Sequence, residues 1–129
     1  GNNAGVVYVC NSSGTDKIDL YGYSGHIWCV RVDQGSSRKI KKNIKPIEDA
    51  REILKLQAVS FDYIEEEMGT DNRGFIAEDV AEILPNLVTP ESDDKPASLD
   101  YISMIPYLQA MIKDQERRIA ELEKKINKK

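Results

Sequence analysis

Ser36 and Lys41 are one pair of residues here whose types and spacing could do nucleophilic chemistry. They lie in the run Ser36-Ser37-Arg38-Lys39-Ile40-Lys41-Lys42-Asn43-Ile44-Lys45. A serine hydroxyl is a poor nucleophile until a base takes its proton. A lysine amine is such a base only in its neutral form, which desolvation and nearby positive charge both favour. Arg38, Lys39 and Lys42 supply the charge in sequence. Exposed charges are screened, so burial at a subunit contact would have to supply much of the effect. The Ser36 hydroxyl can reach the carbonyl of Gly35, forming an ester by acyl shift that water then opens. Gly35 obstructs such an attack little, and backbone N–H groups would have to hold the developing oxyanion. Spacing alone leaves two pairs open, because Ser37 and Lys42 are also five apart. Without further support, most Ser-x4-Lys pairs are solvated surface.

Other polar groups are weaker candidates. His26 is the only histidine and sits in a strand-like segment, so an ordinary zinc site is not expected. Glu65, Glu66, Glu67 and Asp71 invite a calcium reading, but the placement of acids and Gly69 does not fit an EF-hand loop. There is no glycine-rich phosphate loop, and no cofactor or metal is expected. From Ser36 to Lys45 there are five basic residues and no acidic ones, whereas 48–100 is heavily acidic and the C-terminal end basic again. Solvated surface and subunit contact are the ordinary roles of such runs. A DNA-binding regulator would need salt-dependent binding, and no aromatic interleaving supports it.

The elements that must position Ser36 and Lys41 can be read on either side of them. At 129 residues, 40% apolar and 31% charged, the chain fits one ordinary soluble domain with room for an appended segment. No apolar run is long enough to span a membrane. Gly1-Asn2-Asn3-Ala4 lacks a signal peptide's basic start and apolar stretch, and is expected to be a boundary within a longer protein. Segments 5–10, 17–21 and 26–32 are short, rich in β-formers and roughly alternating. Asn11-Ser12-Ser13-Gly14 and Tyr23-Ser24-Gly25 between them have turn compositions. Three short strands are weak alone in water, and would be steadier as the end of a larger β structure or paired across an oligomer. Cys10 and Cys29 lie in these segments without CxxC spacing, and are read as free thiols in preference to a disulfide. Asp33-Gln34-Gly35-Ser36-Ser37 breaks the pattern and is the expected domain boundary.

Beyond it the pattern is mixed α/β. Pro46 can open a helix with Glu48 and Asp49 near its positive end, its apolar face being Ile47, Ala50, Ile53, Leu54 and Leu56. Val59-Ser60-Phe61-Asp62-Tyr63 alternates as a strand does, and 65–71 with Gly69 is a loop or hairpin tip. A short helix over 77–84 is stopped by Pro85, Leu87-Val88 is a brief strand, and 91–96 is a solvated loop. Ser98 or Asp100 can cap a terminal helix beginning near Tyr101, with Pro106 bending or delaying it about one turn in. Ile105, Leu108, Ile112, Gln115, Ile119, Leu122 and Ile126 then recur at alternating intervals of three and four, a heptad seam with Ile at the a positions. Gln115 costs packing there but can fix register. The spacing favours an oligomeric coiled coil over a helix folded back on its own domain, and leaves dimer and trimer open.

Several blocks of this sequence resemble one family. Ser36-Ser37-Arg38-Lys39-Ile40-Lys41-Lys42-Asn43-Ile44 is similar to the opening of the C-terminal intramolecular chaperone domains of bacteriophage tail spikes, tail fibres and neck appendages. That opening is Ser-Asp, two variable residues, an aliphatic, then Lys-Lys-Asn-Ile. Val59-Ser60-Phe61-Asp62-Tyr63, Gly74-Phe75-Ile76-Ala77-Glu78-Asp79-Val80, Leu84-Pro85, Leu87-Val88 and Leu99-Asp100-Tyr101 follow in the family's order, so that the resemblance covers residues 36–126. Ser37 departs from the family's Asp, and Glu78 from its Gln.

The resemblance implies an α+β fold: a short β-stalk remnant (1–35), then a small mixed α/β auto-processing domain (36–129) whose helix (100–129) forms a trimeric coiled coil. It implies a homotrimer whose folding client is the preceding stalk of the same polypeptide, with no membrane or nucleic-acid partner. The domain would drive trimerisation and then release itself as a Ser–Lys endopeptidase, with Ser36 as nucleophile, Lys41 as base and Gly35–Ser36 as the bond cut. The alternative is a non-cleaving trimerisation cap of a fibre. The place implied is the host bacterial cytoplasm during assembly, with 1–35 remaining in the virion tail and 36–129 released.

Overall fold

A computed structural model describes the backbone of residues 6–10, 16–21 and 25–128, and side chains from residue 25 onward. The turn compositions at 11–14 and Tyr23-Ser24 lie outside the described residues. The chain divides into two compact units, 1–44 with 61–72, and 45–60 with 73–129.

In the first unit, β1 (Val6–Cys10), β2 (Asp16–Tyr21) and β3 (His26–Cys29) form an antiparallel sheet in the order β1-β2-β3. Val7 faces Leu20 across the first ladder and Leu20 faces Ile27 across the second, with an irregularity between Val9 and Cys10. β3 ends at Cys29, three residues short of the expected 32. Its partner strand nears its own end there, because Ile18 already pairs with Cys29 and β2 begins at Asp16. Past the ladder Val30 and Val32 are exposed, and Arg31 instead holds Asp33 through Nη2 at 2.6 Å. Cys29 is a free thiol. Cys10 lies outside the residues whose side chains are described.

β4 (Val59–Phe61) and β5 (Asn72–Gly74) form a two-stranded sheet. The hairpin tip between them turns through a 3-10 segment, Glu66–Met68. Gly69 closes it at φ +108°, which a side chain would resist, and its carbonyl accepts from the Tyr63 N–H at 3.1 Å. The Asp71 N–H donates to Asp62 Oδ1 at 2.7 Å, and the Phe61 and Tyr63 rings meet edge to face at 5.2 Å.

The second unit holds the core: Ile53, Val80, Leu84, Leu87, Met104, Tyr107 and Met111. The first of these sits on a segment that differs from expectation. Residues 46–56 do not form an α-helix from Pro46; Ala50–Lys55 is a 3-10 helix. A 3-10 helix eclipses residues three apart. Ala50, Ile53 and Leu56 therefore share one face and pack on the core, while Leu54, off that stripe, is 55% exposed. The sequence period here is three.

α1 (Ala77–Ile83) carries Glu78 and Asp79 in its first turn, where the helix dipole favours them. It buries Val80, and Leu84 one turn on. The Leu84 N–H still bonds the Val80 carbonyl at 2.7 Å, but Pro85 has no N–H to continue. A 3-10 turn, Pro85–Leu87, leads into β6 (Val88–Thr89), so Leu87 is helical rather than the start of the strand. β6 pairs antiparallel with β7 (Ser98–Leu99), extended by the Asp100 N–H donating to the Leu87 carbonyl at 2.8 Å.

α2 (Met104–Asn127) starts three residues later than Tyr101. Asp100 holds the turn before it, accepting from the Ser103 hydroxyl at 2.5 Å and the Ser103 N–H at 3.1 Å. These two bonds keep its carboxyl below the ordinary carboxylate range. The later start puts Pro106 third in the helix, where its missing N–H has no intrahelical partner to lose. Met104, Tyr107 and Met111 are buried in the core, and Arg51 meets Asp114 at 3.3 Å. From Gln115 onward every described helical residue except Ala120 is exposed.

The period-three face has a direct test in adjacent residues. Ile53→Ala should cost about 2–5 kcal/mol in urea denaturation, as burial of a large aliphatic requires. Leu54→Ala should stay within about 0.5 kcal/mol of wild type.

Candidate functional site

Ser36 and Lys41 are brought together. Lys41 Nζ lies 2.6 Å from Ser36 Oγ, a hydrogen bond between two exposed residues. An extended chain would separate residues five apart by roughly 16 Å. The approach comes from one 3-10 turn, Arg38–Ile40. Its backbone bonds run from the Ile40 N–H to the Ser37 carbonyl at 3.1 Å and from the Lys41 N–H to the Arg38 carbonyl at 3.3 Å. Ser37 is the N-cap, extended at φ −65° and ψ 142°, with its hydroxyl accepting from the Lys39 N–H at 3.2 Å. Lys41 follows in extended conformation at φ −119° and ψ 150°. The turn thus brings Lys41 back to Ser36.

Three neighbours complete the local geometry. Ile40 Cδ1 would stand 3.3 Å from a Cβ placed on Gly35, so the side chain of the turn lies over the residue that carries the carbonyl at issue. Asn43 turns the chain after Lys42 with φ +55°. Asparagine tolerates that left-handed conformation better than other side-chain-bearing residues. Among the described residues, Arg38, Lys39, Lys42 and Lys45 form no ion pair, so the segment keeps its positive field. Sequence spacing left Ser36–Lys41 and Ser37–Lys42 open; in the structure the bonded pair is the first. The cap at Ser37 and the left-handed Asn43 were not anticipated. The available signal was residue type, since both are preferred at such backbone positions.

The remaining candidates lie elsewhere. Ile105, Leu108, Ile112, Ile119, Leu122 and Ile126 are between 50% and 71% exposed, and Gln115 is exposed with them. The helix therefore presents two apolar faces, one consumed by its own core and one uncovered. His26 is exposed on β3. Among the described residues no three His, Cys, Asp or Glu side chains converge as a metal site would, the acidic tip at 65–71 included. A cleft of about 470 Å³ is lined by Lys45, Pro46, Ile47, Glu48, Asp49, Asn86 and Tyr107, and includes neither Ser36 nor Lys41. Within it the Tyr107 hydroxyl accepts from Asn86 Nδ2 at 2.8 Å, which satisfies a polar atom of a buried side chain.

Residues 36–89 match the family model described as chaperone of endosialidase, a family named as a peptidase family. Over those residues the chain is similar to the intramolecular chaperone domains of phage tail spikes. It begins at Ser36 and ends at Thr89, so α2 and its seam lie outside it. No curated protein matches the chain.

The backbone at Asn43 can be tested apart from any activity. Asn43→Gly should leave the amide resonances of 36–44 in place, because glycine adopts the same φ freely. Asn43→Val should displace them, since a β-branched side chain resists the left-handed region.

Proposed function

We propose that this chain, which carries a chaperone of endosialidase domain over residues 36–89, assembles the β structure preceding Ser36 as a homotrimer and then cuts itself free at the Gly35–Ser36 bond. The observation that carries this reading is the 2.6 Å approach of Lys41 Nζ to Ser36 Oγ, at the first residue of the family match.

The reaction follows from those two groups. Neutral Lys41 takes the Ser36 hydroxyl proton as Oγ attacks the Gly35 carbonyl carbon. The tetrahedral adduct collapses by breaking the Gly35–Ser36 C–N bond, and the Lys41 ammonium returns its proton to the Ser36 nitrogen. The product is an ester between the Gly35 acyl group and Ser36 Oγ, with a free α-amine on Ser36. Water then attacks the ester, releasing a Gly35 carboxylate and restoring the Ser36 hydroxyl. No cofactor enters. Both side chains are exposed in the single chain, so the dry surroundings that favour a neutral amine would come from a subunit contact.

The trimer rests on the second apolar face of α2. An isolated helical segment is marginal in water without packing, and this one carries its apolar residues at heptad spacing. A buried seam of Ile and Leu would stabilise the exposed half and place three copies in parallel register. The chaperone role then follows from order of events: intertwined strands need their register set before they close, and a coiled coil sets it. Once closed, such a stalk unfolds slowly and no longer needs the domain.

Intact mass of freshly made and incubated protein tests the cut. Fragments of residues 1–35 and 36–129 should accumulate, faster as pH rises and then at a constant rate, because only the neutral amine accepts the proton. Ser36→Ala should abolish them and Lys41→Ala nearly so. A Ser36→Ala chain still cut between residues 35 and 36 would refute the mechanism. An uncut wild type that still trimerises would leave the structural cap. For assembly, sedimentation equilibrium at micromolar concentration should show a trimer, and Ile112→Asp with Ile119→Asp should give a monomer, since charges would meet near a shared axis.

A further inference from the structure

We propose that Ser37 is the positioning residue of the self-cleavage site: its hydroxyl caps the Arg38–Ile40 turn and so sets Lys41 on Ser36. This rests on the reading of Ser36 and Lys41 given above.

The turn has little else to hold it. It is three residues long and buries none of them. Short 3-10 segments have poor hydrogen-bond geometry, and a single turn fixes several dihedrals for few bonds. Two backbone bonds close it, at 3.1 and 3.3 Å, and the third bond is the Ser37 hydroxyl accepting from the Lys39 N–H at 3.2 Å. One bond in three therefore comes from a side chain. Opening the turn lengthens the path from Ser36 to Lys41 toward the extended value, far beyond the reach of a lysine side chain.

The same bond separates the two serines. The Ser37 oxygen is engaged with a backbone N–H, whereas the Ser36 oxygen is the one facing Lys41 Nζ. The cap thus commits the Ser37 oxygen to the turn, and the serine bonded to a lysine is Ser36, although Ser37 has the same spacing to Lys42. A threonine, asparagine or aspartate at this position would also offer the Lys39 N–H an oxygen on a short side chain. Among these asparagine is the cleanest substitute, because it keeps the acceptor and adds no charge beside Lys41.

Single-turnover cleavage of the full chain tests this. Losing an N-cap should slow Ser37→Ala about fivefold. Ser37→Asn should return to within about twofold of wild type, and Ser37→Val should not. The midpoint of the pH–rate profile should stay unmoved in the alanine and asparagine variants, because Ser37 does not titrate there. In an uncleavable Ser36→Ala background, the Lys39 amide proton should move upfield in Ser37→Ala and return in Ser37→Asn. A Ser37→Ala chain that cuts at the wild-type rate would overturn the proposal while leaving Ser36 and Lys41 standing. So would an asparagine variant as slow as alanine, or a Lys39 amide indifferent to residue 37. Persistent cutting of Ser36→Ala at residue 35 would instead defeat the reading of the site, and the Lys39 amide would still decide whether Ser37 caps the turn.

Discussion

The contact on which the second unit depends is the first half of α2 against the pair of segments it closes over. Met104, Tyr107 and Met111 sit one, four and eight residues into the helix and share its inner face. They meet Val80 and Leu84 from α1, Leu87 from the turn after it, and Ile53 from the 3-10 helix. Without that face, α1 is a seven-residue helix and the strands are two or three residues long. None of those would persist alone in water. The polar arrangements around the core follow from the same contact: the Tyr101 hydroxyl accepts from the Phe75 N–H at 3.0 Å, and Asn86 bonds the Tyr107 hydroxyl.

Electrostatics continues the anchoring where apolar burial stops. Asp114 accepts from Arg117 at 2.7 Å and meets Arg51 of the 3-10 helix at 3.3 Å. The hydrogen bond from Arg117 holds the Asp114 carboxyl below its ordinary range, with the charges of Arg117 and Arg51 adding to it. Arg117 also reaches Glu121 at 2.8 Å, one turn further on. Such exposed pairs contribute little individually. Their effect is to tie the helix to its domain at one level and to itself beyond it.

Much of this was legible in the sequence, and the parts that were not have physical reasons. The short helix before Pro85 was legible, since the missing N–H requires an end there; that Val80 and Leu84 form its buried face came only with the structure. The alternation at Val59-Ser60-Phe61-Asp62-Tyr63 gave a strand, of which the first three residues form β4. The segment after Pro46 misled because apolar residues at 47, 50, 53 and 56 fit a 3.6 period tolerably and a 3.0 period better. The length of β3 was overestimated because alternation persists to Val32 after its ladder partner has run out. At the candidate site, types and spacing left Ser36–Lys41 and Ser37–Lys42 open and only the family resemblance favoured the first, because the turn that joins the pair is too short to leave a periodic trace. Ser37, read as a departure from the family's Asp, is of a residue type preferred at helix N-caps, and it caps the Arg38–Ile40 turn.

The two apolar stripes on α2 carry a geometric consequence. Met104, Tyr107 and Met111 lie on one stripe, and Ile105, Leu108 and Ile112 on the other. At about 100° per residue the second is rotated roughly a quarter turn from the first around the helix axis. Three helices joined along the seam would therefore carry their domains tangentially, as vanes, and not radially outward. Every vane would lean the same way round, because the offset has a fixed sign in a right-handed helix. The assembly would acquire a handed rim from nothing more than the angular gap between a core and a seam.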